Sequence, residues 1–216
     1  QHGMGEGYMP RTVCGPAVVL LCLVVNTFGL ESEGMVLLAT NEGDASKLIV
    51  KYLSTGNEVV IQDGRVVSAC FSPDGRMVAY FHNNDPNDWA QRRKALYTMN
   101  IDGSDRTSIQ TSNLYTAPSM PNWCTDGHIY FAHGAPVERV PETGGPPELV
   151  YRATDGTPTP TGGHVSPNLG GDFQTSRDGT RGVGTVQNWA PDGSKAGWAQ
   201  LLVRLDLQEQ YCVARP

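Results

Sequence analysis

Charge is scarce in this 216-residue sequence: Asp, Glu, Lys and Arg make up 18%, the formal net charge is −6, and no basic run exceeds Arg92-Arg93-Lys94. A nucleic-acid partner needs a basic footprint to replace phosphate counterions, so none is expected here. Cysteine is also sparse, with five residues and no Cys-x-x-Cys, which argues against a zinc or thioredoxin-like site. There is no Gly-x-Ser-x-Gly nucleophile elbow, no Gly-x-x-x-x-Gly-Lys phosphate loop, and no His-x-x-x-His or His-Glu-x-x-His metal spacing. Residues 83–89 (NNDPNDW) are rich in oxygen donors, but they lack the spacing and terminal Glu of a calcium loop and read as an ordinary turn-rich loop. No metal or cofactor is expected.

What the chain does have is Gly 25, Pro 15 and 39% hydrophobic residues. That profile fits many short strands joined by turns better than long helices. The longest apolar run, residues 17–25 (AVVLLCLVV), follows Arg11 and precedes small and polar residues. This is the order of a secretory leader, and the run is shorter than the roughly 20 residues of a membrane span. The same run also reads as a buried β-branched strand. Residues 1–33 are therefore assigned to a leader or anchor segment with upstream residues, and a membrane is met only through it if it stays uncleaved. The expected location is secreted or periplasmic. Of the five cysteines, Cys14 and Cys22 fall in this segment. Cys70, Cys124 and Cys212 are an odd number, and the first two read as small hydrophobes in strands.

Three segments repeat. They are Phe71-Ser72-Pro73-Asp74-Gly75, Trp123-Cys124-Thr125-Asp126-Gly127 and Thr175-Ser176-Arg177-Asp178-Gly179, with the aspartates 52 residues apart in both steps. Each lies between two strand-like runs. Glycine accepts the positive φ of a tight corner, and the aspartate can accept backbone N–H groups. An aromatic three residues before the Asp, as at Phe71 and Trp123, would fill the space between stacked sheets. A second turn follows in each unit, most clearly at Asp102-Gly103. About four units of four short strands result: 34–65, 66–112, 113–163 and 164–216. This is the period of propeller blades. Trp189-Ala190-Pro191-Asp192-Gly193 also matches the repeat, but too little chain separates it from the strand near Leu202. It reads as a long hairpin loop comparable to 83–93.

Phe71-Ser72-Pro73-Asp74-Gly75, followed by Leu96-Tyr97-Thr98-Met99-Asn100-Ile101-Asp102-Gly103-Ser104, resembles the PD40 (WD40-like) repeat of TolB-like β-propellers. The match is close in this unit and partial elsewhere: the second copy departs at Ser and Pro, the third at the aromatic and Pro. The resemblance implies an all-β fold of four-stranded antiparallel blades over residues 34–216. Such rings usually have more than four blades. The chain is thus expected to belong to a longer protein, or to an assembly that covers its open sheet edges. The family spans binders, peptidase gates and lyases, so it is poor evidence for activity.

The reading that follows is a secreted, non-catalytic scaffold for a protein or glycan, with Trp89, Arg92, Arg93 and Trp189 as contacts. A lyase-like or hydrolase-associated propeller is the alternative, in which His82 and His133 would be metal ligands or acid–base groups. As ordinary residues they would be a solvent-facing pair on one rim. A self-associating subunit pairing through open sheet edges is the third reading.

Overall fold

The computed structural model describes residues 20–24, 34–39, 46–83, 94–111, 118–153, 157–159, 162–166, 169 and 172–213, with β1 described by its backbone alone. Among the described residues every regular element is a strand. The first sheet contains β1 (Leu20–Val24), β2 (Met35–Ala39), β3 (Lys47–Tyr52) and β4 (Glu58–Asp63), paired in chain order and antiparallel. Strand β1 lies within the run that reads as either leader or strand, and it pairs Leu20 with Ala39 and Val24 with Met35. The second sheet is β5 (Val66–Phe71), β6 (Met77–Asn83), β7 (Lys94–Asn100) and β8 (Thr107–Thr111). The third is β9 (Asn122–Trp123), β10 (His128–Ala132), β11 (Pro136–Pro141) and β12 (Glu148–Arg152). Both repeat the same up-and-down meander.

The strands form because their side chains alternate between two apolar layers, as a period of two requires. In β6, Val78 and Tyr80 face the first sheet and join Leu37, Leu48, Val50, Phe71 and Met99. The alternate residues Ala79 and Phe81 face the third sheet, with Leu96, Ile129, Phe131 and Val140. The Phe81 and Phe131 rings meet edge to face at 5.4 Å, a geometry that aromatic quadrupoles favour. Sheet three in turn gives Tyr130, Ala132, Val137 and Tyr151 to a layer shared with Phe173, Val186, Leu201 and Val203 of the fourth sheet. Three apolar layers thus join four sheets face to face, as blades of a propeller do. No buried cluster among the described residues joins the first sheet to the fourth.

The fourth sheet departs from four strands. Its blade is β15 (Gln174–Thr175), β16 (Arg181–Trp189), β17 (Lys195–Arg204) and β18 (Glu209–Val213), and it also gains β13 (Thr157–Pro158) and β14 (His164–Val165). Strand β16 is long enough for two short partners on one edge. Its Gly182 and Val183 pair with β15, and its Asn188 and Trp189 pair with β14. Two short strands, β13 and β14, thus arise between the third and fourth sheets. Their hairpin is closed by Thr159, whose N–H donates to Gly163 O while its hydroxyl accepts from Gly163 N, both at 3.0 Å.

Candidate functional site

The three repeated Asp-Gly segments form the turns β5–β6, β9–β10 and β15–β16, at the same end of successive sheets. At the first, Ser72 Oγ donates to Asp74 Oδ1 at 2.7 Å and Arg76 N to the same oxygen at 3.1 Å, while Met77 N donates to Ser72 Oγ. The third copy repeats these bonds with Ser176, Asp178, Thr180 and Arg181. The second copy is one residue shorter after the glycine, and His128 N takes the place at Asp126 Oδ1. At the first and third corners the donors hold the carboxylates ionised. Asp74 lies below the usual carboxylate range, chiefly because of the Ser72 hydroxyl. Asp178 falls to about 2 because of the Ser176 hydroxyl, then the Thr180 N–H and hydroxyl.

These corners meet one another. Thr125 N and Oγ1 both donate to Arg177 O, at 2.8 and 3.2 Å, and the Arg177 guanidinium reaches Pro73 O at 3.2 Å. One arginine on the fourth sheet thus contacts corners on the second and third. Deeper in the seam, Asn122 donates to Phe173 O and accepts from Thr175 N, which ties the edge strands of sheets three and four together.

Between the corners of the second and third sheets is a cavity of about 490 Å3 whose walls include Pro73, Asp74, Trp123, Thr125, Glu142 and Thr143. The Trp123 indole N–H donates to Glu142 Oε2 at 2.8 Å, so the ring is fixed as a wall and the carboxylate is held at the mouth. The cavity offers an aromatic face, the hydroxyls of Ser72, Thr125 and Thr143, and two carboxylates. That set suits reversible binding by stacking and hydrogen bonding.

At the adjoining seam, Tyr130 OH donates to Asp126 Oδ2 at 2.7 Å and accepts from Arg139 Nη1 at 3.3 Å. Arg139 Nε in turn bonds Glu148 at 2.9 Å. Burial is the main force pushing the Tyr130 phenol up to about 12, so it stays protonated and serves as a fixed donor. Among the described residues, no group of three His, Cys, Asp or Glu side chains is placed to hold a metal ion.

The residues singled out from sequence separate. Asp74, Gly75, Asp126, Gly127, Asp178 and Gly179 occupy the corner end, and Asp102-Gly103 forms the β7–β8 turn at that end of its sheet. His82 and His133 lie at the opposite ends of β6 and β10. There His82 packs edge-on to Tyr97 at 5.9 Å. His133 Nε2 sits 3.2 Å from Glu138 Oε2, a close contact off the line of a hydrogen bond. Trp189 ends β16, half-buried, with the Lys195 ammonium 5.8 Å from its ring. Trp89, Arg92 and Arg93 lie outside the described residues. Sequence reasoning placed Trp123 as a space-filling ring but did not connect it with Glu142 and Thr143. The available signal was the second hairpin of the same unit, Pro141-Glu142-Thr143-Gly144, which returns to the corner.

No protein-family model matches the sequence, and a search of curated proteins finds no match. Solved structures do match. TolB from Acinetobacter baumannii aligns with a TM-score of 0.57 at 12% identity, over 83% of this chain and 40% of that one. A chain of a nidogen/laminin complex aligns with a TM-score of 0.56 at 10% identity, over 84% and 59%. A TolB-type chain from Agrobacterium tumefaciens aligns with a TM-score of 0.54 at 19% identity, over 82% and 60%. At these identities the likeness shows the fold, a β-propeller. The chain spans between two fifths and three fifths of the length of these matched chains.

Proposed function

We propose that this propeller is a non-catalytic binding scaffold, built from PD40-type repeats, that takes a segment of a partner protein or a glycan into the cavity at the Asp-Gly end of its second and third sheets. The observation that carries this reading is the cavity itself: about 490 Å3 walled by an indole whose orientation is fixed by Glu142. One of the matched propellers comes from a nidogen/laminin complex, which supports a protein as ligand.

The test is selection of ligands from a displayed peptide library and a glycan array by the full chain, followed by Thr143→Trp. Thr143 is exposed in a turn at the cavity mouth. An indole there fills the entrance without touching a buried layer. Retention should fall at least about tenfold, the equivalent of roughly 1.4 kcal/mol, with the unfolding midpoint unchanged. Selected ligands that bind Thr143→Trp as well as they bind the parent chain would move the site elsewhere.

A further inference from the structure

The cavity at the corners of the second and third sheets carries charge of one sign. Among the described residues its charged walls are Asp74 on one side and Glu142 on the other, and no Lys or Arg lines it. Arg76 and Arg177 reach this corner, yet neither is part of the wall. Each carboxylate has one oxygen bonded within the protein and one that is not. Asp74 Oδ1 accepts from Ser72 Oγ and Arg76 N, and Glu142 Oε2 accepts from the Trp123 indole. Asp74 Oδ2 and Glu142 Oε1 accept no hydrogen bond from a described residue. Ser72 is 4% exposed, so the bond that fixes Asp74 is sheltered, and it holds that carboxyl below its ordinary range. Trp123 packs against the layer of Ile129 and Val140 and also lines the cavity. Because Glu142 sets its orientation, ring and carboxylate form one fixed unit.

We infer that the group this cavity takes is an arginine or lysine side chain on an exposed segment of the partner protein. The inference rests on the binding reading above and narrows it to a basic protein segment. An indole face attracts a cation placed over it, and the two unbonded carboxylate oxygens supply the opposite charge. Pro73 and Met77 complete the wall with apolar surface, which suits the methylene stem that long basic side chains lay on such surfaces. A neutral sugar can stack on the same indole and donate to a carboxylate. What favours a cation is that neither carboxylate is balanced by a basic group in the walls. About 490 Å3 is more than one side chain fills and lies within the roughly 300–1,000 Å3 of ligand sites, so residues flanking the cation enter as well. The whole chain carries a net charge of −6, which speeds the approach of a basic partner and opposes an acidic one.

The probes are four capped pentapeptides with Arg, Lys, Gln or Glu at the centre and Gly or Ser elsewhere. Each is titrated into the full chain at about 50 mM salt and followed through the Trp123 indole N–H resonance, assigned with Trp123→Phe. The Arg and Lys peptides should bind at least about tenfold more tightly than the Gln peptide, as a cation–π contact with ion pairing allows. That advantage should shrink at about 0.5 M salt. Glu142→Gln keeps an acceptor for the indole and removes the charge; it should cut the advantage about threefold with the unfolding midpoint unchanged. Thr143→Lys puts a competing ammonium at the mouth and should weaken the Arg and Lys peptides but not the Gln peptide, so it decides the matter if Glu142→Gln disturbs the fold. Equal affinity for the Arg and Gln peptides, an advantage that survives both variants, or a Kd above about 10 mM for the Arg peptide would each overturn the proposal. The two readings fail separately. Selected ligands that Thr143→Trp excludes but that carry no preference for Arg or Lys keep the cavity as the site and remove only the cation. Ligands indifferent to Thr143→Trp remove both.

Discussion

Replacing Gly179 by alanine should cost far more than replacing Gly193, although both glycines occupy the same kind of corner. Their φ values are +72° and +80°, and both corners place an aspartate Oδ1 on the N–H two residues on. A left-handed conformation costs a residue with a Cβ about 1–2 kcal/mol. Roughly 0.4–1 kcal/mol is recovered because alanine restricts the unfolded chain. Gly193→Ala therefore loses about 1 kcal/mol, since a Cβ there meets nothing within 4 Å. A Cβ on Gly179 would lie 2.7 Å from Tyr130 Oη and 2.8–2.9 Å from two ring carbons. The ring cannot swing away freely, because its hydroxyl is bonded to Asp126 and Arg139 and its body is buried. Overpacking of this kind adds about 1–3 kcal/mol, for a total of about 2–4. Urea unfolding of the two variants measures the difference, and Tyr130→Leu in the Gly179→Ala background should recover part of the added loss. Equal costs for the two variants would mean that the fourth sheet does not lie over Tyr130, and the face-to-face stacking would fail with it.

Two further outcomes follow from the same corners. Because the folded Asp178 carboxyl titrates near 2, below its ordinary 3.8, the stability it contributes is complete above about pH 4 and is lost as the pH falls toward 2. The gap in urea midpoint between the parent chain and Asp178→Asn should be constant above pH 4 and narrow below it; a gap that stays flat to pH 2 refutes the assignment. Burial pushes the Cys124 thiol up to about 11, which lowers its thiolate fraction about 100-fold against an ordinary thiol. Peptide mapping after alkylation at pH 8 should therefore find half-buried Cys212 modified well before Cys124, and equal rates would contradict the burial of Cys124.

The repeats were legible because their physics is local. An aspartate that accepts the N–H two residues on, and a glycine at positive φ, leave the same mark wherever a corner occurs, and Phe71 carries the buried ring that the first copy advertises. In β3 and β17 burial alternates although the residue order does not, since Leu48-Ile49-Val50 and Leu201-Leu202-Val203 are continuously apolar, so which face is buried depends on the neighbouring sheet. What stayed hidden depends on chain that is distant in sequence. Strands β13 and β14 are two residues each and have no period to detect; they exist because β16 runs past β15 and leaves an edge to pair. The cavity needs Trp123 and Glu142 on one side and Asp74 on the other, from two sheets whose contact no local pattern records.

Asp192 shows how far the corner signal reaches. Its carboxylate accepts Ser194 N at 2.9 Å and Ser194 Oγ at 2.6 Å, which are the bonds that Asp102 makes with Ser104. By sequence it is a better copy of the repeat than Thr175-Ser176-Arg177-Asp178-Gly179. Yet Asp192 caps the β16–β17 hairpin at the end of the sheet opposite Asp178, while Asp102 caps β7–β8. The motif therefore specifies a hairpin corner and says nothing of which pair of strands it joins. Position in the blade comes from the length of chain to the next turn: Gly179 is followed by the nine residues of β16, and Gly193 by the ten of β17 with a different outward face. Moving Asp192-Gly193 to a plain two-residue turn should leave the stack intact, whereas the same exchange at Asp178-Gly179 would remove the Thr125–Arg177–Pro73 contacts that tie three sheets together. The function of the repeat thus lies in where its corners converge.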